Sequence, residues 1–325
     1  MNAHPTRETT RLLQRLSRAL KRHLPKAIAG DDRGVHQARV TTRRLREAVP
    51  VLATDLKGSK AGKAGRKIRR LTRALGTVRE LDVTVSLLDE LARSPQVPRT
   101  AVEDVRTRVI VERDARRKLM LERLERVNAE KLDKRLESVG AALEGATGEP
   151  WRKALAARLL KRARVLSESM DAAGHMYAPE RLHAVRIAAK KLRYGLELAA
   201  GSGVTEASAH VRTIKRAQDM LGKLHDLQVL QGYVAAVQAT PASNRAQSRE
   251  PLEDLARHIE DQCRHLHGRY VALVPALREL ILATRKVIAP QLARTTRRLP
   301  AVKMGLSRQP AGAAVYGRPK VAGDR

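Results

Sequence analysis

VHQARVTTRRLREAV, residues 35–49, sets one histidine ahead of four arginines on a stretch whose apolar residues recur at helical spacing. With about 100° per residue and His36 at zero, Arg39, Arg43 and Arg46 all lie within about 80° of it on one side. Ala38, Leu45, Val49 and Leu52 gather on the opposite, core-facing side, and Arg44 stands off the stripe. A near copy, LHAVRIAAKKLRYGL, occupies residues 182–196. It keeps the spacing in His183, Arg186, Lys190 and Arg193, with Leu192 and Leu196 opposite and Lys191 aside. Each stripe has one acid, Glu47 or Glu197, placed to pair with the cation four residues before it, Arg43 or Arg193. The other cations have no acid on their own helix face. A solvated face ordinarily mixes both signs, so repulsion repeated at fixed spacing points to a ligand that relieves it.

The copy belongs to a longer repeat. RLLQR (11–15) aligns with RLLKR (158–162) at the 147-residue offset that also separates His36 from His183. RKIRRLTRALGTVRELDV (66–83) then aligns with RTIKRAQDMLGKLHDLQV (212–229), with seven identities in eighteen positions, where composition alone gives about one or two. Three blocks in one order read as an internal duplication. Helical patterns fall near 7–24, 35–54, 60–75, 79–93 and 99–140, then near 151–171, 179–199, 205–220, 225–239 and 251–289, with no convincing strand. Pro50 is expected to kink or end the second helix, and Pro275 to break the last. SPQVP (94–98) and TPASN (240–244) are turn signals, and GATGEP (145–150) is the junction. The expected organisation is all-α: a first helical bundle over 1–145, a second over 146–298, and a disordered basic tail over 299–325.

Composition agrees with packed helices. Hydrophobic residues make up 42% of 325, with no Phe, five Tyr and one Trp, so the core must be Leu, Val, Ala and Ile. A net charge of +31 makes an anionic partner the natural expectation. The lone Cys263 excludes an internal disulfide and a cysteine zinc cluster, and reads as a buried, inert thiol. Apolar runs such as YVALVPAL (270–277) are far too short to span a membrane, and the basic N-terminal helix has no signal-peptide apolar core. The expected setting is cytoplasmic, without a membrane partner.

Two further cation sets extend the pattern. Lys63, Arg66, Arg69, Arg70 and Arg73 lie within about 60° of Arg66 on their helix, with no acid among them. The copy keeps Arg212, Lys215 and Arg216 but has Asp219 where the first has Arg73, which makes the second half the weaker patch. On the 99–140 segment Arg106, Arg113 and Arg117 share the sector of Ile110, Met120 and Leu124, and only Glu103 borders it. Inward arginines without acidic partners are costly to bury dry, and a wet basic groove between the halves removes the cost. Snorkelling along the surface is the alternative.

The twice-occurring His-x-x-Arg helix with its basic-basic-Leu-Arg end resembles the CHAD family, the conserved histidine α-helical domain. LGTVRELDV and LGKLHDLQV resemble that family's Leu-Gly…Asp-Leu element, and the likeness runs over about residues 5–295. It departs at His225 and Gln228, which stand where the first copy has Arg79 and Asp82. The resemblance implies two pseudo-twofold-related helical bundles with a basic groove or pore at their junction. It also implies inorganic polyphosphate as ligand and association with polyphosphate granules. The carried-over positions are His36, Arg39, Arg43, Arg44 and Arg46, then His183, Arg186, Lys190, Lys191 and Arg193. The Arg66–Arg73 and Arg212–Arg216 groups, with Arg113 and Arg117, are additions from helical spacing.

Binding without turnover is the chemistry these residues support, with no cofactor or metal. There is no GxxxxGK[ST] loop, no HExxH, and none of the Glu-x-Glu-x-Lys segment of the CYTH triphosphatases to which CHAD modules are sometimes fused, so the chain reads as a stand-alone member. RELD (79–82) supplies only Glu80 and Asp82, too few acids to hold the magnesium of a phosphotransferase. His36 and His183 near phosphates favour their protonated forms, which implies tighter binding at mildly acid pH; a neutral brace that orients a neighbouring Arg is the other role. A DNA- or RNA-binding module or a general polyanion binder is the rival reading, though 2% aromatic residues leave little for base stacking, so nucleic-acid binding would be weak. A granule scaffold tethered by the basic tail is compatible with polyphosphate binding.

Overall fold

The computed structural model describes residues 5–56, 60–76, 78–144, 150–240 and 246–294, and among these the chain is helical with no strand. In chain order the elements are α1 (Pro5–Ile28), α2 (Asp32–Leu52), α3 (Ala61–Ala74), α4 (Arg79–Leu91), α5 (Arg99–Glu125), α6 (Ala129–Glu144), α7 (Pro150–Ala173), α8 (Pro179–Ala200), α9 (Thr205–Gln238) and α10 (Ala246–Ala283). A π-helical turn (Thr284–Ile288) and the short α11 (Ala289–Ala293) follow. The proposed 299–325 tail, and the GATGEP and TPASN signals apart from Pro150 and Thr240, lie outside the described residues.

Local chemistry sets the boundaries. The Asp31 carboxylate accepts the Gly34 N–H at 2.6 Å and caps α2. Pro179 opens α8, where its missing N–H has no helical partner to lose. The 99–140 segment, read as one helix, is two. Asn128 accepts the Lys131 N–H through its side-chain oxygen at 2.7 Å and starts α6 afresh. The reverse holds at 205–239, read as two helices: α9 runs unbroken through Gly222, whereas at Gly76 the N–H turns back to the Arg73 carbonyl and α3 has ended. Pro275 does not break α10 either. Burial of Leu266, Tyr270, Leu277 and Leu280 on both sides of it outweighs the lost hydrogen bond. Pro50 sits in the last turn of α2, which ends at Leu52.

One continuous apolar cluster, mostly Leu, Ala and Val, runs from Leu13 to Leu292. Helix α1 packs on α2, α2 on α3, and α6 on both α1 and α3, while α7, α8, α9 and α10 pack in sequence-neighbouring pairs; α2 meets α7 and α8, and α4 and α5 meet α9. Both histidine helices are drawn tight against the preceding helix at a glycine. A Cβ on Gly34 would lie 2.6 Å from Lys26 Cβ of α1, and one on Gly195 would lie 2.7 Å from Leu159 Cδ2 of α7. Close approach at these two points fixes which way each cationic stripe faces.

Candidate anion-binding seam

The stripes of α2 and α8 meet. On α2, Arg39, Arg43 and Arg46 are half-buried and His36 is exposed; on α8, His183, Arg186, Lys190 and Arg193 are half-buried. Arg39 is close enough to Arg43, Arg79 and Arg186 for each to oppose its charge, and burial, the largest influence, brings its pKa down to about 10. Burial likewise lowers Arg43, with Arg193 and Arg46 adding repulsion and Tyr194 opposing it. The Tyr194 ring, itself buried, takes two guanidiniums: Arg43 lies 5.4 Å and Arg193 5.0 Å from its centroid. The His36 imidazole is held below its usual pKa by partial desolvation and by Arg79, Arg39 and Arg43. A recess of about 340 Å³ opens beside His36, lined by Arg39, Arg79 and Arg113 together with Asp32 and Asp82.

The second histidine has different company. His183 Nδ1 lies 3.1 Å from His225 Nδ1, with ring centroids 4.5 Å apart. A hydrogen bond between two Nδ1 atoms requires one of them to be bare, so the pair holds one proton between those nitrogens. Burial, then Arg186 and His183, brings His225 down to about 4. Asp226 is an acid of the seam, among Arg186, Arg79 and Arg39; burial nevertheless raises its pKa, which weakens it as a counter-charge.

Acids expected to relieve the stripes are partly committed elsewhere. Glu197 pairs with Arg193 at 3.1 Å, as its spacing implies. Glu47 instead pairs with Arg162 of α7 and lies 3.7 Å from Arg46. Arg162 also donates to the Lys191 carbonyl at 2.6 Å, and Arg158 to the Glu47 carbonyl at 3.2 Å. Two arginines of the RLLKR block therefore bolt α2 to α8 from behind. The Arg193 Nε is buried without a hydrogen-bond partner.

The α5 arginines overturn a premise. Read as lacking acidic partners, Arg113 and Arg117 find them on other helices. Arg113 donates to Asp82 at 2.8 Å, which raises its pKa, and Arg117 bonds Asp32 and the Gly30 carbonyl. These are cross-helix ion pairs, so no wet groove is needed to explain them. Arg44 and Lys191 are exposed and off the stripe; Arg44 lines a separate recess of about 460 Å³ between α1, α2 and α8. Lys63, Arg66, Arg69, Arg70 and Arg73 stand exposed on α3, and Arg212, Lys215 and Arg216 on α9, with Arg216 beside Asp219 and Arg269. None of these is among the charges acting on Arg39 or Arg43.

Spacing arguments missed Arg79, His225, Asp226, Tyr194, Arg158 and Arg162 as members of the seam. The signal was present: all lie inside the repeated blocks or directly after a stripe residue. Among the described residues no cluster of three metal-ligating side chains occurs, and no helix is long and apolar enough to cross a membrane.

The CHAD domain family model matches residues 11–235. No curated protein matches the chain. The crystal structure of the CHAD domain from the plant Ricinus communis superposes with a TM-score of 0.55 at 20% identity, covering 89% of this chain and 94% of that one. PptA from Streptomyces chartreusis gives 0.54 at 14% identity, covering 86% and 98%. At these identities the likeness is one of fold.

Proposed function

The chain belongs to the CHAD domain family, and from that premise and the seam's geometry we propose that it binds inorganic polyphosphate without turning it over. The observation that carries the reading is the crowding of Arg39, Arg43 and Arg79 against Arg186 and Arg193, half-buried cations that repel one another across two repeats. An anion threaded between them replaces that repulsion with attraction. Guanidiniums suit it because each planar fork pairs with two phosphate oxygens. Counter-ions released from the polyanion supply much of the affinity, as they do for nucleic acids. The setting this implies is at polyphosphate granules in the cytoplasm.

His36 adds a pH term. Its pKa lies below the usual value in the free protein, and a neighbouring phosphate raises it. Protonation therefore accompanies binding, and affinity rises as pH falls from 8 through about 6.5. A His36→Gln/His183→Gln variant with the same pH profile as the wild type would remove the histidines from the ligand.

The test is equilibrium binding of polyphosphate of defined length to the wild type and to Arg43→Glu with Lys190→Glu. Charge reversal abolishes binding if the seam is the site, and survival of binding in the pair puts the site elsewhere. Competition identifies the ligand: polyphosphate displaces duplex DNA at far lower phosphate concentration than the reverse, and equal displacement makes the protein a general polyanion binder.

A further inference from the structure

A dense set of unrelieved charges lies on α3. Its buried side, Ala64, Ile68, Leu71 and Thr72, packs into the core against α2, α5 and α6. Its outer side presents Lys63, Arg66, Arg69, Arg70 and Arg73, all exposed, with Lys67 half-buried beside them. Several exposed cations elsewhere are answered one turn away: Arg116 by Glu112, Lys134 by Glu130, Arg257 by Asp254, Arg264 by Glu260. On α3 there is no acid in the helix, and none of its six cations has an acidic partner among the described residues. The helix also lacks a side-chain N-cap and an acid in its first turn, and carries two glycines. Like charges one turn apart and cations near a helix N-terminus both weigh against it. A helix formed against its own electrostatics, with its charge turned fully outward, is complementary to an anion.

The exposed cations of α3 are not among the charges that act on the seam. The charges acting on His36, Arg39 and Arg43 come from α2, α4 and α8, none from α3. The exposed face holds only Lys, Arg and Gly62, without the aromatic or amide side chains that stack on or read bases, so its chemistry is contact with phosphate alone. We propose that the outer face of α3 is a second polyphosphate-binding surface, so that one protein molecule holds two chain segments at once and bridges them. The inference rests on the reading of the seam as a polyphosphate site. Two surfaces on one molecule convert a binder into a cross-linker, because each chain long enough to meet several proteins becomes a junction.

The experiment counts chains. A polyphosphate too short to reach from seam to α3 is titrated into the wild type, into K63Q/R66Q and R70Q/R73Q, and into the seam variant R39Q/R186Q, with circular dichroism checking the fold of each. Two chains bind the wild type, one binds each α3 variant, and one binds the seam variant. Long-chain polyphosphate mixed with the wild type then scatters light strongly, and with the α3 variants scatters several-fold less. A wild type that binds one short chain, an α3 variant that still takes two, or two-chain binding without a loss of scattering in the α3 variants overturns the bridge and leaves the seam reading intact. A wild type that binds no polyphosphate at all overturns the seam reading itself. If the α3 variants lose affinity for duplex DNA while the wild type takes a single polyphosphate chain, α3 is a nucleic-acid surface and the proposal falls.

Discussion

The two histidine helices share one spacing and differ in what faces them. His36 is exposed and looks toward Arg79, beside a recess whose acids, Asp32 and Asp82, are bonded to Arg117 and Arg113. His183 is half-buried and hydrogen-bonded to His225, the residue matching Arg79, and Gln228, matching Asp82, donates to the Tyr177 hydroxyl at 3.2 Å. One half keeps its charges available to a ligand. The other has exchanged an arginine for a second imidazole and an ion pair for a neutral hydrogen bond. Two helices with one histidine–cation spacing thus differ in the charges that face them.

The largest expected effect concerns what joins the halves. Arg162 and Glu47 are 14% and 13% exposed, and their pair ties α7 to α2. Glu47→Gln strands a mostly buried guanidinium, so unfolding stability should drop by about 3–5 kcal/mol, measured by urea denaturation. A drop under about 1 kcal/mol would mean the pair is solvated.

Next comes the asymmetry in binding. Arg39→Gln removes a charge from the richer half and Arg186→Gln one from the poorer. Each lost charge-assisted hydrogen bond is worth about 1.5–3 kcal/mol, or roughly ten- to hundred-fold in affinity, and we expect the Arg39 variant to suffer more. Equal losses, read by titration with polyphosphate, would make the two halves equivalent as ligands.

A smaller effect separates the histidines by stability. The folded-state pKa of His225, about 4, lies below its ordinary value near 6.5. Its contribution is therefore complete above about pH 6.5 and is lost as pH falls toward 4. Thermal melts across that window should show the wild type weakening more steeply than His225→Asn; parallel curves would contradict the assignment. The smallest effect belongs to Tyr194. Replacing its ring by leucine removes two cation–π contacts, each about 0.5–2 kcal/mol, and should lower the melting temperature slightly while leaving the far-ultraviolet spectrum unchanged.

How much of this the sequence carried depends on distance along the chain. Stripes on α2 and α8 were legible because three-, seven- and ten-residue spacings are local geometry, and the core face opposite them followed from the same rule. The split at Asn128 was missed because a cap inside a polar, strongly helical run leaves the periodicity almost undisturbed. The fusion through Gly222 was missed because its twin, Gly76, does end a helix. Partner choice was the least legible. Glu47 is spaced to pair with Arg43 four residues away and instead bonds Arg162, 115 positions on. Arg113 and Arg117 lack acids at local spacing because theirs come from α4 and the start of α2. Local spacing identifies which charges share a face, and only packing decides which of them remain unanswered.

We propose the α2–α8 seam as the place where phosphate binds. The most direct measurement is the salt dependence of polyphosphate affinity for the wild type and for Arg39→Gln/Arg186→Gln. With the seam as the site, log K falls linearly with log salt, with a slope shallower by about 2 in the double variant, one for each lost phosphate contact. An unchanged slope with unchanged affinity would contradict it.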